Sequence, residues 1–161
     1  MNKLYGDIIN ILKSDARYSS AKIATMLGLL EKDVKKAIED MENSGILVKY
    51  TAIVNTEKLE DDKVIALIEV KVTPQRNRGF DAIAEEIHCF SEVKDLYLMS
   101  GGYDLAVFVE GKNLREVAMF VSEKLSVMEA VVGTATHFIL KKYKTEGVIT
   151  DKTQSRRNII G

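Results

Sequence analysis

Between Val64 and Tyr143 the spacing of apolar residues switches from a period of two to a helical period and back, twice over. Few folds accept that order. The run "VIALIEVKV" alternates Ile68, Val70 and Val72 against Glu69 and Lys71, which predicts a half-buried strand, and Pro74 is expected to stop it. "FDAIAEEI" then sets Phe80, Ile83, Ala84 and Ile87 on one helical face. "VKDLYLMS" and "LAVFVE" are strands around the turn "GGYD", so they predict a hairpin whose glycines supply positive φ. Asn113 with Glu116 three residues on has the form of a helix cap and its reciprocal partner, and Leu114, Val117, Ala118, Val121 and Leu125 continue as a helical stripe. "VVGTATHFILKKY" closes as a strand. The order βαββαβ over 64–143 is ferredoxin-like: an antiparallel sheet with both helices on one face.

The residues before this region are helical. Leu4, Ile8, Ile11 and Leu12 share a face; Ile23, Ala24 and Leu27 share the next; Val34, Ile38 and Met41 share a third. "KSDARYSS" separates the first two, and Ser19 or Ser20 is placed to cap the second. Gly28 and Gly45 end the second and third helices. Two short helices joined through a tight glycine turn form a helix-turn-helix, here within 1–47, with the first helix as the third wall of its core. "ILVKYTAIVN" is β-branched and predicts a linking strand, and with the polar "TEKLEDDK" it fills a connection and hinge over 48–63. The tail, 144–161, has no clear period and is expected to be a flexible or partner-docking extension.

The formal net charge is −1, so the chain is no bulk polycation, and any grip on nucleic acid must come from a local cluster of Lys and Arg or from several subunits together. Its single cysteine, Cys89, excludes an internal disulfide and fits a reducing compartment. The start "MNKLYGDIIN" meets acid and polar residues at once, unlike a secretory leader, and no apolar run suits a bilayer. A cytoplasmic protein without membrane contact is expected. Neighbouring His88 and Cys89 cannot converge on a metal; His88 reads as a helix-end dipole partner, and His137 has no carboxylate near it in sequence. With no nucleophile elbow, phosphate loop or zinc spacing, no catalytic residue, metal or cofactor is expected.

Taken in order, "DIINILKSDARYS", "IATMLGL", the Val34 and Ile38 of "DVKKAI", "MENSGIL", "YTAIVN", "LMSGGYD" and "TATHFIL" resemble the Lrp/AsnC family of transcriptional regulators over nearly the whole chain. The resemblance implies an α+β protein: a winged or linker-braced helix-turn-helix joined by a strand to a ferredoxin-like domain that forms dimers or larger homo-oligomers and binds amino acids or related small molecules. Two positions depart from the usual pattern. Leu30 stands where the family has a capping Ser or Thr, and Ala37 stands where it has an Arg.

The third helix carries Glu31, Asp33, Glu39, Asp40 and Glu42 beside its lysines. Near its N-terminus Lys32, Lys35 and Lys36 are placed to meet phosphates or guanine of double-stranded DNA, and Arg17, Ser19, Ser20 and Lys22 to meet flanking phosphates. A solvated helix of mixed charge is the plain alternative. The resemblance also implies an effector site at Gly101, Gly102, Tyr103 and Asp104. Backbone N–H groups there can take a carboxylate and Asp104 an ammonium, the two ends of an α-amino acid. Thr134 and Thr136 can add hydroxyls, or can be ordinary strand threonines. Two rivals stay open at this stage. One is a tetrapyrrole-decarboxylating enzyme of similar architecture, for which His88, His137 and Arg115 are the sparse candidates; the other is a ligand sensor with a decayed DNA head.

Overall fold

The computed structural model describes residues 3–59, 63–73 and 79–150, apart from the side chain of residue 57. Pro74, the expected strand stop, and residues 151–161 of the tail lie outside them. The chain divides into two compact units, Met1–Val54 and Asn55–Gly161.

The first unit holds α1 (Lys3–Ser14), α2 (Ser20–Leu27) and α3 (Glu31–Asn43). Its core is Ile8, Leu12, Ile23, Ala24, Val34, Ala37 and Met41. Ile8, Ile23, Val34 and Met41 are fully buried, each a side chain whose burial contributes about 1.5–3 kcal/mol. Both helix ends rest on glycine geometry. Gly28 lies at φ +67°, and Leu29 N–H then reaches back to Ala24 C=O at 2.9 Å; Gly45 lies at φ +72°, and Ile46 N–H closes on Met41 C=O at 2.9 Å. Ala37 is 5% exposed and belongs to this core, so its lack of charge takes nothing from the outward face. Within one chain the expected linking strand has no partner: residues 48–55 are in no strand, and the first unit has none among its described residues. Their β-branched composition favours a ladder, but a ladder needs a second edge.

The second unit is the βαββαβ core with additions. β1 (Val64–Val72), β2 (Val93–Leu98), β3 (Leu105–Gly111) and β4 (Val131–Phe138) form a four-stranded sheet in the order β2-β3-β1-β4, every neighbouring pair antiparallel. α4 (Asp81–His88) and α5 (Leu114–Phe120) cover one face, and α5 runs on into a wide π turn, Val121–Leu125. The alternation in β1 has its physical reason here. Ala66, Ile68, Val70 and Val72 point at the helices and pack with Leu105, Val107 and Val109 of β3 and with Ile83, Ile87, Val117, Phe120 and Leu125. Asn113 caps α5 by accepting from Glu116 N–H at 2.9 Å, while the Glu116 carboxylate accepts from Lys112 N–H, one residue before the cap.

Three details depart from expectation. Gly101 and Gly102 do not make a tight positive-φ turn; residues 99–104 form a longer loop, neither glycine lies in the left-handed region, and Met99 N–H closes the loop on Asp104 C=O at 2.8 Å. β4 stops at Phe138, short of Tyr143. The start of the tail is ordered: β5 (Lys144–Thr145) and β6 (Val148–Ile149) pair around Glu146 at φ +47° and Gly147 at φ +81°, two consecutive left-handed residues as a type I′ hairpin demands. Beyond it, Thr150 C=O accepts from the Asn55 amide at 2.8 Å, tying the end of the hairpin to the start of the unit.

Candidate functional site

α3 is the element with an outward cationic face. Val34, Ala37 and Met41 point into the core, so Lys32 and Lys36, four residues apart, share the opposite stripe and are exposed. Glu39 and Asn43 continue that stripe towards the C-terminus. Lys35 is set apart from the other two: it lines a cleft of about 340 Å³ with Tyr18, Glu42 and Tyr50, and its Nζ is 4.0 Å from Glu39. Several acids of the segment are occupied sideways. Ser20 Oγ donates to Glu31 at 3.1 Å, and Tyr50 Oη donates to Glu42 at 2.8 Å. That bond and burial hold the Tyr50 hydroxyl above its ordinary pKa, burial being the larger cause. The N-terminal half of α3 therefore presents Lys32 and Lys36 outward, with Glu39 following them on the same stripe and Glu31 and Glu42 held to Ser20 and Tyr50.

The flanking residues differ in availability. Ser19 is the N-cap of α2, its Oγ accepting from Lys22 N–H at 3.3 Å, and the Lys22 side chain is exposed. Ser20 has its hydroxyl committed to Glu31. Arg17 forks onto Asp15, Nε to Oδ1 at 2.9 Å and Nη2 to Oδ2 at 2.7 Å. Those side-chain hydrogen bonds are the main reason the Asp15 carboxyl is held down to about 2, and they raise Arg17 in turn. A phosphate must compete with that carboxylate for Arg17.

In the second unit, loop 99–104 is anchored by Asp104. Its N–H donates to Val70 C=O at 3.0 Å, and its Oδ2 accepts from Val72 N–H at 2.9 Å, so the carboxylate is fixed against the end of β1. Gly101 and Gly102 are exposed; a Cβ built on either meets nothing within 4 Å. Neither backbone conformation nor packing within the chain calls for glycine there. Thr134 and Thr136 lie opposite Val70 and Ile68 of β1, on the helix-covered side. Thr134 thus shares an end of the sheet with Asp104, but β1 stands between their strands, about 10 Å across two strand spacings. One chain does not bring the loop and the threonines into hydrogen-bonding contact.

Sequence reading missed a pair on the uncovered face: His137 Nε2 is 3.4 Å from Glu69 Oε1. The strand register creates it, since Glu69 pairs with Ala135, two residues from His137. The other histidine is turned to its own helix, His88 Nδ1 lying 3.0 Å from Ala84 C=O. Among the described residues no three His, Cys, Asp or Glu side chains are grouped to hold a metal, and no helix is long and apolar enough to cross a membrane.

With this geometry in place, the chain can be set beside known proteins. The sequence profile of the Lrp/AsnC ligand binding domain matches residues 65–149. An uncharacterised HTH-type transcriptional regulator, YugG of Bacillus subtilis strain 168, is 42% identical over 155 residues, 96% of this chain and 93% of the relative. FL11, an HTH-type transcriptional regulator of Pyrococcus furiosus, is 31% identical over 137 residues, 85% of this chain and 87% of its own. Among solved structures, a transcriptional regulator of Neisseria meningitidis in complex with L-Met superposes with a TM-score of 0.72 at 19% identity, covering 90% of this chain and 93% of that one. YugG and FL11 are transcriptional regulators rather than enzymes, and with that the tetrapyrrole-decarboxylase alternative falls. The family profile over the sheet domain and the relatives over nearly the full length agree: the chain belongs to the Lrp/AsnC family of helix-turn-helix transcriptional regulators.

Proposed function

We propose that this regulator binds double-stranded DNA through the N-terminal half of α3 and responds to an α-amino acid, or a close relative, at loop 99–104. In the DNA complex Lys32 and Lys36 meet the major groove and its phosphates. Lys22 and the N-terminus of α2 at Ser19 and Ser20 take a flanking phosphate, Arg17 joins only by exchanging Asp15 for one, and Lys35 is peripheral. Two outward lysines per head supply few phosphate contacts, so useful affinity comes from several heads on one assembly in the cytoplasm. The working form is then a homodimer or a larger homo-oligomer, with half-sites about one helical turn apart. Residues 48–54, β-branched and without a strand partner, are suited to pair with their copies in a second chain.

One observation carries the effector part: Gly101 and Gly102 have neither a conformational nor a packing reason inside the chain, and they adjoin a carboxylate fixed in place. Glycines of that kind suit a position where another molecule approaches the backbone closely. An amino acid offers a carboxylate to the N–H groups and an ammonium to Asp104, with Tyr103 beside them. Thr134 and Thr136 complete the site if a neighbouring subunit closes it. The L-Met bound to the Neisseria meningitidis regulator supports the ligand class. The effector must favour one assembly over another, because equal affinity for both shifts nothing.

The test is a thermal-shift screen of the twenty L-amino acids, with the sedimentation coefficient measured for each hit. Stabilisation by one or a few of them together with a change in assembly size is expected. A flat screen removes the amino-acid reading and leaves DNA binding untouched.

A further inference from the structure

The tip of α3 carries an apolar residue that its own unit leaves mostly exposed. Leu30 is the N-cap, at φ −77° and ψ 137°, and its side chain makes no capping hydrogen bond. It is 61% exposed, Leu29 before it is 42% exposed, and neither belongs to the helical core. Leucine is among the poorest N-cap residues, and a serine there stabilises a helix by about 1 kcal/mol more. Leucine at position 30 is therefore a poor cap, and its side chain lies outside the helical core. Its backbone is nonetheless fixed, because Leu30 C=O accepts from Asp33 N–H at 3.0 Å and Val34 N–H at 3.3 Å. Next to it, Glu31 is drawn aside by the Ser20 hydroxyl, and the next outward side chain is Lys32. The N-terminal end of α3 thus exposes Leu30 one turn before Val34 and ahead of the outward Lys32.

The major groove displays one apolar group, the C5 methyl of thymine. We propose that Leu30 is a specificity-determining residue that packs on a thymine methyl in each operator half-site, so that the cap hydroxyl is given up in exchange for base discrimination. The inference rests on the proposed role of α3 in DNA binding. Where a serine at this position would offer a hydroxyl to almost any base edge, leucine accepts only a methyl-bearing one and leaves a polar edge unpaired.

The experiment uses the full chain. Duplexes are selected from a random pool, and in the enriched sequence each thymine is replaced in turn by deoxyuridine, which removes the methyl and keeps O4. One or two positions per half-site should then weaken binding about fourfold each, the loss for one buried methyl. Leu30→Ser, which restores a capping hydroxyl and should melt no lower than the parent, is expected to bind thymine and uracil duplexes alike. Enrichment with no uracil-sensitive position, or equal uracil sensitivity in Leu30→Ser, overturns the assignment to Leu30 and leaves DNA binding standing. A pool in which nothing enriches overturns both.

Discussion

Replacing Lys32 and Lys36 with alanine, alone and together, should flatten the salt dependence of DNA binding, and replacing Lys35 should not. The difference comes from the helix, not from composition. Lys32 and Lys36 stand opposite Val34, Ala37 and Met41, whereas Lys35 turns to the cleft beside Tyr50 and lies 4.0 Å from Glu39. Each phosphate neutralised contributes about 0.9 to the slope of log K against log salt. Two lysines on each of two heads therefore contribute about 3.6. Raising salt from about 50 to about 200 mM then removes ~150-fold less affinity from the double variant than from the parent. Lys35→Ala should change the slope by less than about one contact per head. The assay is fluorescence anisotropy of a labelled duplex at four salt concentrations, with thermal melts as control; these side chains are exposed, so melting temperatures should hardly move. An unchanged slope in the double variant would support a head that no longer reads DNA. A slope loss in Lys35→Ala equal to that of the double variant would show that the outward stripe was assigned to the wrong face.

Asp104→Asn keeps an oxygen for Val72 N–H and removes the charge, so it should retain stability yet lose the effector response. Asp104→Ala loses the bond as well and should be destabilised by about 1–3 kcal/mol; isothermal titration and urea melts separate the two, and equal effector affinity in Asp104→Asn contradicts the ammonium role. Gly101→Ala should melt at the parent temperature, since a Cβ there meets nothing within 4 Å, while effector affinity falls at least tenfold; a lowered melting temperature with intact binding would reverse the reading. The Asp15 carboxyl is depressed from 3.8 to about 2 by Arg17, so the stability it contributes is present above about pH 4 and lost as pH falls through 2. Its carbon-13 titration should show that low midpoint, and Arg17→Ala should bring it back to the ordinary range; a midpoint near 3.8 in the parent would dismiss the fork as an arrangement without energetic weight in solution.

Much of the fold was legible because burial imposes a period. The alternation of Ile68, Val70 and Val72 follows from one covered face of β1, and the Val34 and Met41 spacing from one buried stripe of α3. The cap at Asn113 and the stops at Gly28 and Gly45 were readable as well, since they depend on residues a few positions apart, while the choice of Ser19 over Ser20 at the start of α2 came only with the structure. What the sequence hid depends on register or on other chains. The approach of His137 to Glu69 exists only once β1 and β4 are aligned, and single-sequence patterns carry no register. Ala37 looked like a missing surface charge because a small residue fits core and surface equally. The 144–149 hairpin went unseen because Glu-Gly is a weaker I′ signal than Asn-Gly. At loop 99–104 the paired glycines suggested a tight positive-φ turn that does not form, since neither lies in the left-handed region. Thr134 and Thr136 are kept from the loop within one chain because β1 stands between β3 and β4, a separation that only the strand order reveals.

The claim on which the account turns is that a thin cationic stripe on each head reads DNA only when several heads are presented together. Sedimentation velocity of the full chain with a selected, fluorescently labelled duplex carrying both half-sites tests it directly. At least two chains per duplex are expected, and a collapse of affinity when half a helical turn is inserted between the half-sites. One chain per duplex, bound as tightly with the insertion as without it, contradicts it.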